Sequence, residues 1–353
     1  MSKFANGNVN SIAPYVPGEQ PQDKKYIKLN TNENPYYTSE FAVKAVTEEV
    51  LLNLKRYSDP DSKLLVKAIA DFYGVDNENI LTSNGSDEAL AFAFQAYAKD
   101  GVCFADVTYG FYNVFAQLYD CPVEHINLNS DFTIDTKKYY NKNKTVVIAN
   151  PNAQTGIALP LSEIEEIIKN NPDNVVILDQ AYADFSEENA VPLIKKYTNL
   201  VVINTFSKSR SLAGARVGYA IADKSLIEDL NKIKYSFHPY NVNSVSMTLA
   251  TMAIKDKNYF ESTVKMVKQS RKKLTEGLQK LNFSVLPSSA NFVLAKSDRI
   301  GGEEFYLKLK ENGILVRHFK DERIKEYVRI TVGTDDEVDE LLKISAKILK
   351  EIK

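Results

Sequence analysis

Apolar and polar residues alternate with two different periods along this chain, and each change of period marks a predicted element. Between Gly101 and Ile254 the apolar residues come in short continuous runs: Val102–Ala105, Thr145–Ala149, Val175–Asp179 and Leu200–Thr205. Such runs, rich in β-branched residues, predict strands buried on both faces. Stretches with helical spacing separate them. One is Ser162-Glu163-Ile164-Glu165-Glu166-Ile167-Ile168, where Ser162 and Glu165 are spaced as a capping box. Upstream, Thr38 or Ser39 is placed to cap a helix through Val43, Val46 and Val50. A second helix puts Leu64, Leu65, Ala68, Ile69 and Phe72 on one face and stops near Gly74. A short strand at Ile80–Leu81 then leads through Gly85 into a helix carrying Leu90, Phe94 and Tyr97.

Beyond residue 255 the texture changes. A long helix is predicted from Tyr259 to Leu281. Short strands follow at Phe283–Leu286, Phe292–Leu294, Ile314–Val316 and Tyr327–Thr331, and a last helix begins near Asp335. At the other end, Pro14, Pro17 and Pro21 break any helix in residues 1–30, which leaves an arm either disordered or packed across another surface. The pattern predicts an α/β protein. Residues 41–254 form a large domain on a mostly parallel mixed sheet covered by helices on both faces, residues 255–353 a smaller α+β domain, and residues 1–40 the arm.

Ligands of such sheets bind beyond the carboxyl ends of the strands. Asn150-Pro151-Asn152, Asp179 and Ser207-Lys208 all fall at that edge. Lys208 follows a buried strand, where partial desolvation favours a nucleophilic amine able to form a Schiff base. Asp179 ends another strand, and a buried carboxylate there calls for a cationic ligand nitrogen. Tyr182 supplies a phenol. Gly85, Ser86 and Asp87 open a helix whose free N–H groups, with Ser207 and Arg216, make an anion cradle. Tyr109 is placed to stack on a ring. An amine, a carboxylate for a ring nitrogen, a phenol for a ring oxygen and an anion site together describe pyridoxal 5'-phosphate.

Composition narrows the class. With 353 residues and a net charge of −2, the chain is of enzyme size and carries no basic surplus for nucleic acid. Cys103 and Cys121 are too few for a disulfide framework, which points to a reducing cytoplasm. His125, His238 and His318 lack metal-ligand spacing. Met1 to Asn10 is polar, with no apolar signal core, and no apolar run approaches the roughly 18 residues that span a bilayer.

Nearly the whole chain resembles the class I/II aminotransferases of fold type I, and within them the histidinol-phosphate aminotransferases. The resemblance rests on Pro14-Tyr15, Leu29-Asn30-Thr31-Asn32-Glu33-Asn34-Pro35, Arg56-Tyr57, Gly85-Ser86-Asp87-Glu88, Asn150-Pro151-Asn152 with Thr155-Gly156, and Asp179 with Ala181-Tyr182. It continues through Thr205-Phe206-Ser207-Lys208, Leu212-Ala213-Gly214 with Arg216-Val217-Gly218-Tyr219, Pro239-Tyr240-Asn241-Val242-Asn243, Ala290-Asn291-Phe292 and Val328-Arg329-Ile330-Thr331-Val332-Gly333-Thr334. By this resemblance Lys208 would hold the cofactor covalently and carry the substrate α-proton, and Asp179 would keep the pyridine nitrogen protonated. Tyr182 would contact the ring hydroxyl, and Tyr109 would stack. Gly85, Ser86, Asp87, Ser207 and Arg216 would bind the phosphate. Tyr57 would reach the phosphate of the partner subunit in a homodimer, and the arm would pack on the small domain and the partner. Arg329 would bind the anionic end of a small phosphorylated amine, with Arg317 nearby and Tyr15 and Asn32 closing the pocket. Glutamate and 2-oxoglutarate would be the second substrate pair.

Three departures stand out. Asn152-Ala153-Gln154-Thr155-Gly156 replaces Asn-Asn-Pro-Thr-Gly, so the ring oxygen is left to Asn152 or to Tyr182 alone. Asp179-Gln180-Ala181-Tyr182 replaces Asp-Glu-Ala-Tyr, and Val107-Thr108-Tyr109 replaces Pro-Thr-Tyr. The leading expectation is transamination of histidinol phosphate in histidine biosynthesis. The alternatives are a related enzyme with the same cofactor, acting on another phosphorylated or aromatic amine, including a threonine-phosphate-type decarboxylase, and a non-enzymatic binding module. A nucleotide-binding oxidoreductase is disfavoured, because no Gly-x-Gly-x-x-Gly follows the first strand.

Overall fold

The computed structural model describes residues 2–5, 9 and 12–352; of the predicted arm, therefore, the run from Ile12 onward is described continuously. In chain order the strands are β1 (Ile27–Lys28), β2 (Ile80–Ser83), β3 (Val102–Ala105), β4 (Val123–Ile126), β5 (Thr145–Ala149), β6 (Val176–Asp179), β7 (Leu200–Thr205), β8 (Gly218–Ala222), β9 (Phe283–Val285), β10 (Phe292–Ser297), β11 (Ile314–Leu315), β12 (Arg317–His318) and β13 (Val328–Thr331). The α-helices are α1 (Glu40–Lys44), α2 (Glu48–Leu52), α3 (Lys63–Tyr73), α4 (Ser86–Tyr97), α5 (Phe111–Leu118), α6 (Leu161–Lys169), α7 (Lys224–Phe237), α8 (Ser244–Lys255), α9 (Lys257–Lys280), α10 (Gly302–Glu311) and α11 (Asp335–Glu351).

Alternate residues of the central strands feed two cores. Val146, Ile148, Val176, Leu178, Leu200 and Val202 pack on one face. Val147, Ala149, Ile177, Val201 and Ile203 pack on the other. Full burial of each such side chain is worth about 1.5–3 kcal/mol, so this double coverage is what holds the sheet between its helices. The sheet has seven strands in the order β2-β8-β7-β6-β5-β3-β4. β8 runs antiparallel to β2 and to β7, and the other pairs are parallel. The reason is the connection: β8 returns from β7 through a loop, whereas parallel neighbours need a crossover.

A second sheet, four antiparallel strands in the order β12-β13-β10-β9, carries its own core. Val267, Leu274 and Leu278 of α9 and Val338, Leu341 and Ile348 of α11 cover it. β1 pairs in parallel with β11, so the arm enters this smaller unit. Arg317 strengthens the attachment by donating to the carbonyls of Pro17 and Val16 at 3.0 and 2.9 Å. Among the described residues, no helix is long and apolar enough to cross a membrane.

Two predicted features differ. The helix through Val43, Val46 and Val50 is two short helices, because Thr47 accepts from the Val50 amide and caps a new start, while Val43 lies exposed. The Ser162–Glu165 capping box does not form. The helix begins one residue earlier, at Leu161, whose amide donates to the Glu188 carboxylate at 3.1 Å. Sequence patterning also passed over α10, which begins at Gly301-Gly302 and has Phe305 and Leu309 as its buried apolar contacts.

Candidate active site

β2, β3, β5, β6 and β7 end at one edge of the large sheet, and antiparallel β8 begins there. That edge therefore collects the residues after five strands and those before a sixth. Arg329, Arg317, Asn32 and Tyr15 close the opposite side from the small sheet and the arm. Between them lies a cavity of about 160 Å³, lined among others by Ser86, Asp87, Tyr109, Asp179, Tyr182, Ser207, Lys208 and Arg216.

The anion-binding end starts from two glycines. Gly85 has φ +81°, and a Cβ there would lie 2.5 Å from Arg216 Nη2. A Cβ on Gly218 would lie 2.4 Å from the Ser86 amide nitrogen. Only glycines allow β8 and the start of α4 to approach so closely. No side chain caps α4, so its first amides face the cavity free of local acceptors. Arg216, itself left-handed at φ +52°, reaches back to Asp87 at 3.1 Å. Ser207 is buried and accepts from the Thr205 hydroxyl at 3.0 Å, which leaves its own O–H without an acceptor among the described residues.

The opposite end holds a buried carboxylate. Asp179 Oδ2 accepts from the Tyr112 hydroxyl at 2.8 Å, and Oδ1 accepts from the Ala181 amide at 3.1 Å. Burial pushes its carboxyl up to about 6, against those two donors. Among the described residues these two donors are the hydrogen-bond partners of its side chain, and both are uncharged. Lys208 Nζ, half-buried, donates to the Thr31 carbonyl at 3.1 Å and sits 5.7 Å from the centroid of the Tyr182 ring. Tyr182 OH accepts from Asn32 Nδ2 at 3.0 Å. Asn32 is held in turn by Thr331 and Asn291. Tyr109 donates to Asp87 at 2.8 Å and walls one side, and Tyr15 stacks on Phe111 with centroids 4.4 Å apart.

Arg329 and Arg317 are direct cross-strand partners on β13 and β12. Like charges placed opposite each other repel unless an anion lies between or beside them. Arg329 donates to the Ala153 carbonyl and the Gln154 side chain at 3.0 and 3.1 Å, lies between the Phe292 and Phe319 rings, and has no acidic partner among the described residues. Its Nε is buried and unpaired, and burial pulls the guanidinium below the ordinary arginine value.

Two of the candidate residues stand apart from the cavity. Asn152 spends its side chain within its own loop, donating to the Val107 carbonyl and accepting from the amides of Gln154 and Thr155. Of the two groups left for a ring oxygen, only Tyr182 faces the cavity. Tyr57 is 83% exposed and stacks on Tyr240. Gln180 turns away from the site and accepts from the Ala190 amide at 3.3 Å. Sequence reasoning passed over Tyr112, Thr31 and Gln154's contact with Arg329. For Tyr112 no local signal was available: Tyr109 precedes α5 and Tyr112 lies within it, and its partner Asp179 is 67 residues away.

The class follows from this arrangement and from sequence comparison. The pattern of the aminotransferase class I and II family matches residues 24–344, and the chain belongs to that family. A histidinol-phosphate aminotransferase from Brachyspira hyodysenteriae is 48% identical over 342 residues, covering 96% of this chain and 97% of the relative. Among solved structures, the histidinol-phosphate aminotransferase of Sinorhizobium meliloti in complex with pyridoxal-5'-phosphate superposes with a TM-score of 0.89, at 20% identity over 100% of this chain and 99% of that one. The L-threonine-O-3-phosphate decarboxylase of Porphyromonas gingivalis reaches 0.81 at 24% identity, over 92% and 100% of the two chains. The fold is thus common to both chemistries.

The Asp179 value has a sign that can be measured. Because burial raises it from 3.8 to about 6, protonation of Asp179 favours the folded cofactor-free protein, and that contribution is lost as pH rises through about 6. The melting temperature of the cofactor-free wild type relative to Asp179→Asn is expected to fall across that window and to level off above it. A difference independent of pH would show that Asp179 is not desolvated.

Proposed function

We propose that this chain transfers the amino group of histidinol phosphate to 2-oxoglutarate, giving imidazole-acetol phosphate and glutamate, with pyridoxal 5'-phosphate as cofactor, in the histidine biosynthesis of the cytoplasm. The observation that carries the reading is one cavity, in a chain of this family, that brings together a lysine amine and, among the described residues, a buried carboxylate without a cation and two arginines without acidic partners. The residues fit the cofactor end to end. The uncapped start of α4, with Gly218 pressed against it, Ser207 and Arg216, suits the phosphate. Asp179 suits the ring nitrogen, Tyr109 the ring face and Tyr182 the ring oxygen.

When bound, pyridoxal phosphate supplies an electron-withdrawing ring that takes up the electron pair released as the substrate α-proton leaves. The side chains do the rest. Lys208 Nζ is the proton carrier, and the Thr31 carbonyl holds it at the mouth of the cavity. Asn32 orients the Tyr182 hydroxyl, and Ala153 leaves that hydroxyl without an asparagine partner on the ring oxygen. A single missing bond of this kind costs about 0.5–1.5 kcal/mol, too little to abolish binding. Arg329, with Arg317 opposite, takes the anionic end of the substrate, and Gln154 orients Arg329 where the family usually has proline. The large domain, residues 41–254, carries the cofactor residues, and residues 255–353 with the arm carry the substrate arginines and the pocket lid.

The same reading makes the protein a homodimer. Leu51, Leu52, Leu54 and Tyr57 expose an apolar strip along the chain, Phe237 and Tyr240 are exposed as well, and Tyr57 stacks on Tyr240. A second copy would cover this strip, and Tyr57 would reach the phosphate end of the other copy's cavity.

The protein with pyridoxal phosphate is expected to be yellow, and borohydride to bleach that colour while fixing the pyridoxyl group covalently on Lys208; Lys208→Ala is expected to abolish transamination with its melting temperature kept, and turnover by that variant would refute the lysine's role. Arg329→Ala is expected to raise KM for histidinol phosphate roughly ten- to hundredfold, the worth of a charged hydrogen bond of about 1.5–3 kcal/mol, and to leave KM for an uncharged amine little changed. Equal effects would remove Arg329 from the anion site, and carbon dioxide release from threonine phosphate would favour the decarboxylase instead. Sedimentation equilibrium at micromolar concentration is expected to give a dimer; a monomer would overturn the shared site.

A further inference from the structure

We propose that Tyr112 is a positioning residue for the cofactor: its hydroxyl, donated to Asp179 Oδ2, aims that carboxylate and keeps the shared proton on the ring nitrogen. The inference rests on the pyridoxal phosphate reading above and adds a residue from another element to it.

The geometry carries the argument. Tyr112 lies in the first turn of α5 and is completely buried. Its ring is enclosed by Phe94 of α4 at 6.2 Å, Phe104 of β3 at 5.5 Å and Tyr109 at 5.7 Å between centroids. Among the described residues its hydroxyl has one partner, Asp179 Oδ2 at 2.8 Å. Aromatic packing therefore fixes where that O–H stands, independently of β6, whose last residue is Asp179.

Both neighbours of the carboxylate act as donors. The Ala181 amide on Oδ1 can only donate. Each of these donors stabilises charge on the oxygen it touches and so lowers the proton affinity of the carboxylate. The anion is the form that satisfies both contacts as they stand. Two other charged groups bear on it. Asp87, at the start of α4, opposes the anion, and Lys208, after β7, favours it. Tyr109 and Tyr182 lie near Tyr112 as further phenols. Burial and Asp179 push Tyr112's own ionisation well above the ordinary tyrosine value, so it remains a donor at working pH.

With a ring nitrogen facing Asp179, one proton is shared between nitrogen and carboxylate. A donor on the far side of the carboxylate lowers its proton affinity and leaves the proton on nitrogen. Without that donor the proton moves toward oxygen. The ring then withdraws electrons less strongly.

Tyr112→Phe tests this, because it removes one buried oxygen and keeps the ring that Phe94, Phe104 and Tyr109 enclose. Three quantities are read: the Kd of pyridoxal phosphate for the cofactor-free protein, the ¹⁵N shift of ring-labelled cofactor in the holoenzyme, and the melting temperature. The expected result is a Kd raised roughly tenfold, the scale of one charge-assisted hydrogen bond, and a ¹⁵N shift displaced toward unprotonated pyridine. In the Asp179→Asn background the same substitution is expected to change neither, since Tyr112 acts through Asp179. An unchanged Kd and ¹⁵N shift in Tyr112→Phe, or effects that add in the double variant, would overturn the inference. Should Tyr112→Phe lose its fold while the double variant keeps it, the dependence of Tyr112 on the Asp179 charge is borne out by stability alone; loss of fold in both would overturn it. If wild type takes up no pyridoxal phosphate, the functional reading itself fails; if wild type binds it with a protonated nitrogen and Tyr112→Phe is the same, only this inference fails.

Discussion

A strand covered on both faces can present polar side chains only where it ends, and the site of this protein follows from that constraint. β5, β6 and β7 bury successive residues in opposite cores. Their polar chemistry is therefore pushed to one edge: the Asn150–Thr155 loop, Asp179 and Ser207-Lys208. Antiparallel β8 adds to the same edge from its beginning, and so Arg216 and Gly218 meet the start of α4.

Desolvation at that edge gives each group its character. Asp179 is a carboxylate held by two neutral donors, a poor arrangement for an isolated protein and a good one for a bound cation. Arg329 is the converse, a cation enclosed by two aromatic rings and carbonyl-type acceptors, with a second arginine across the strand pair. The two incomplete charges face one cavity from different sheets. A zwitterionic ligand assembly, cationic at the cofactor nitrogen and anionic at the far end of the substrate, would complete both.

The loop departures are absorbed by backbone contacts. Ala153 contributes its carbonyl to Arg329, and Gln154 contributes its side chain. Asn152 stays within the loop and binds its neighbours' amides. Gln180, uncharged where the family has glutamate, faces the Ala190 backbone and not the cavity. The altered motif thus changes the setting of Arg329 more than that of Asp179, Ser207 and Lys208.

The sequence by itself determined the alternation of buried strands and helices and the sheet edge at which Lys208, Asp179 and Arg216 come to line one cavity, because burial and strand ends leave a direct mark in hydrophobic pattern. Short amphipathic segments left a weaker mark: Thr47 divides an apparently continuous helix, and Glu188, distant in sequence, caps α6 in place of Ser162. Tertiary structure alone decided which groups hold the candidate site residues. Tyr112 reaches Asp179 from 67 residues away, and Asn32 reaches Tyr182 from 150. Such contacts depend on packing between elements, and local pattern carries no record of it.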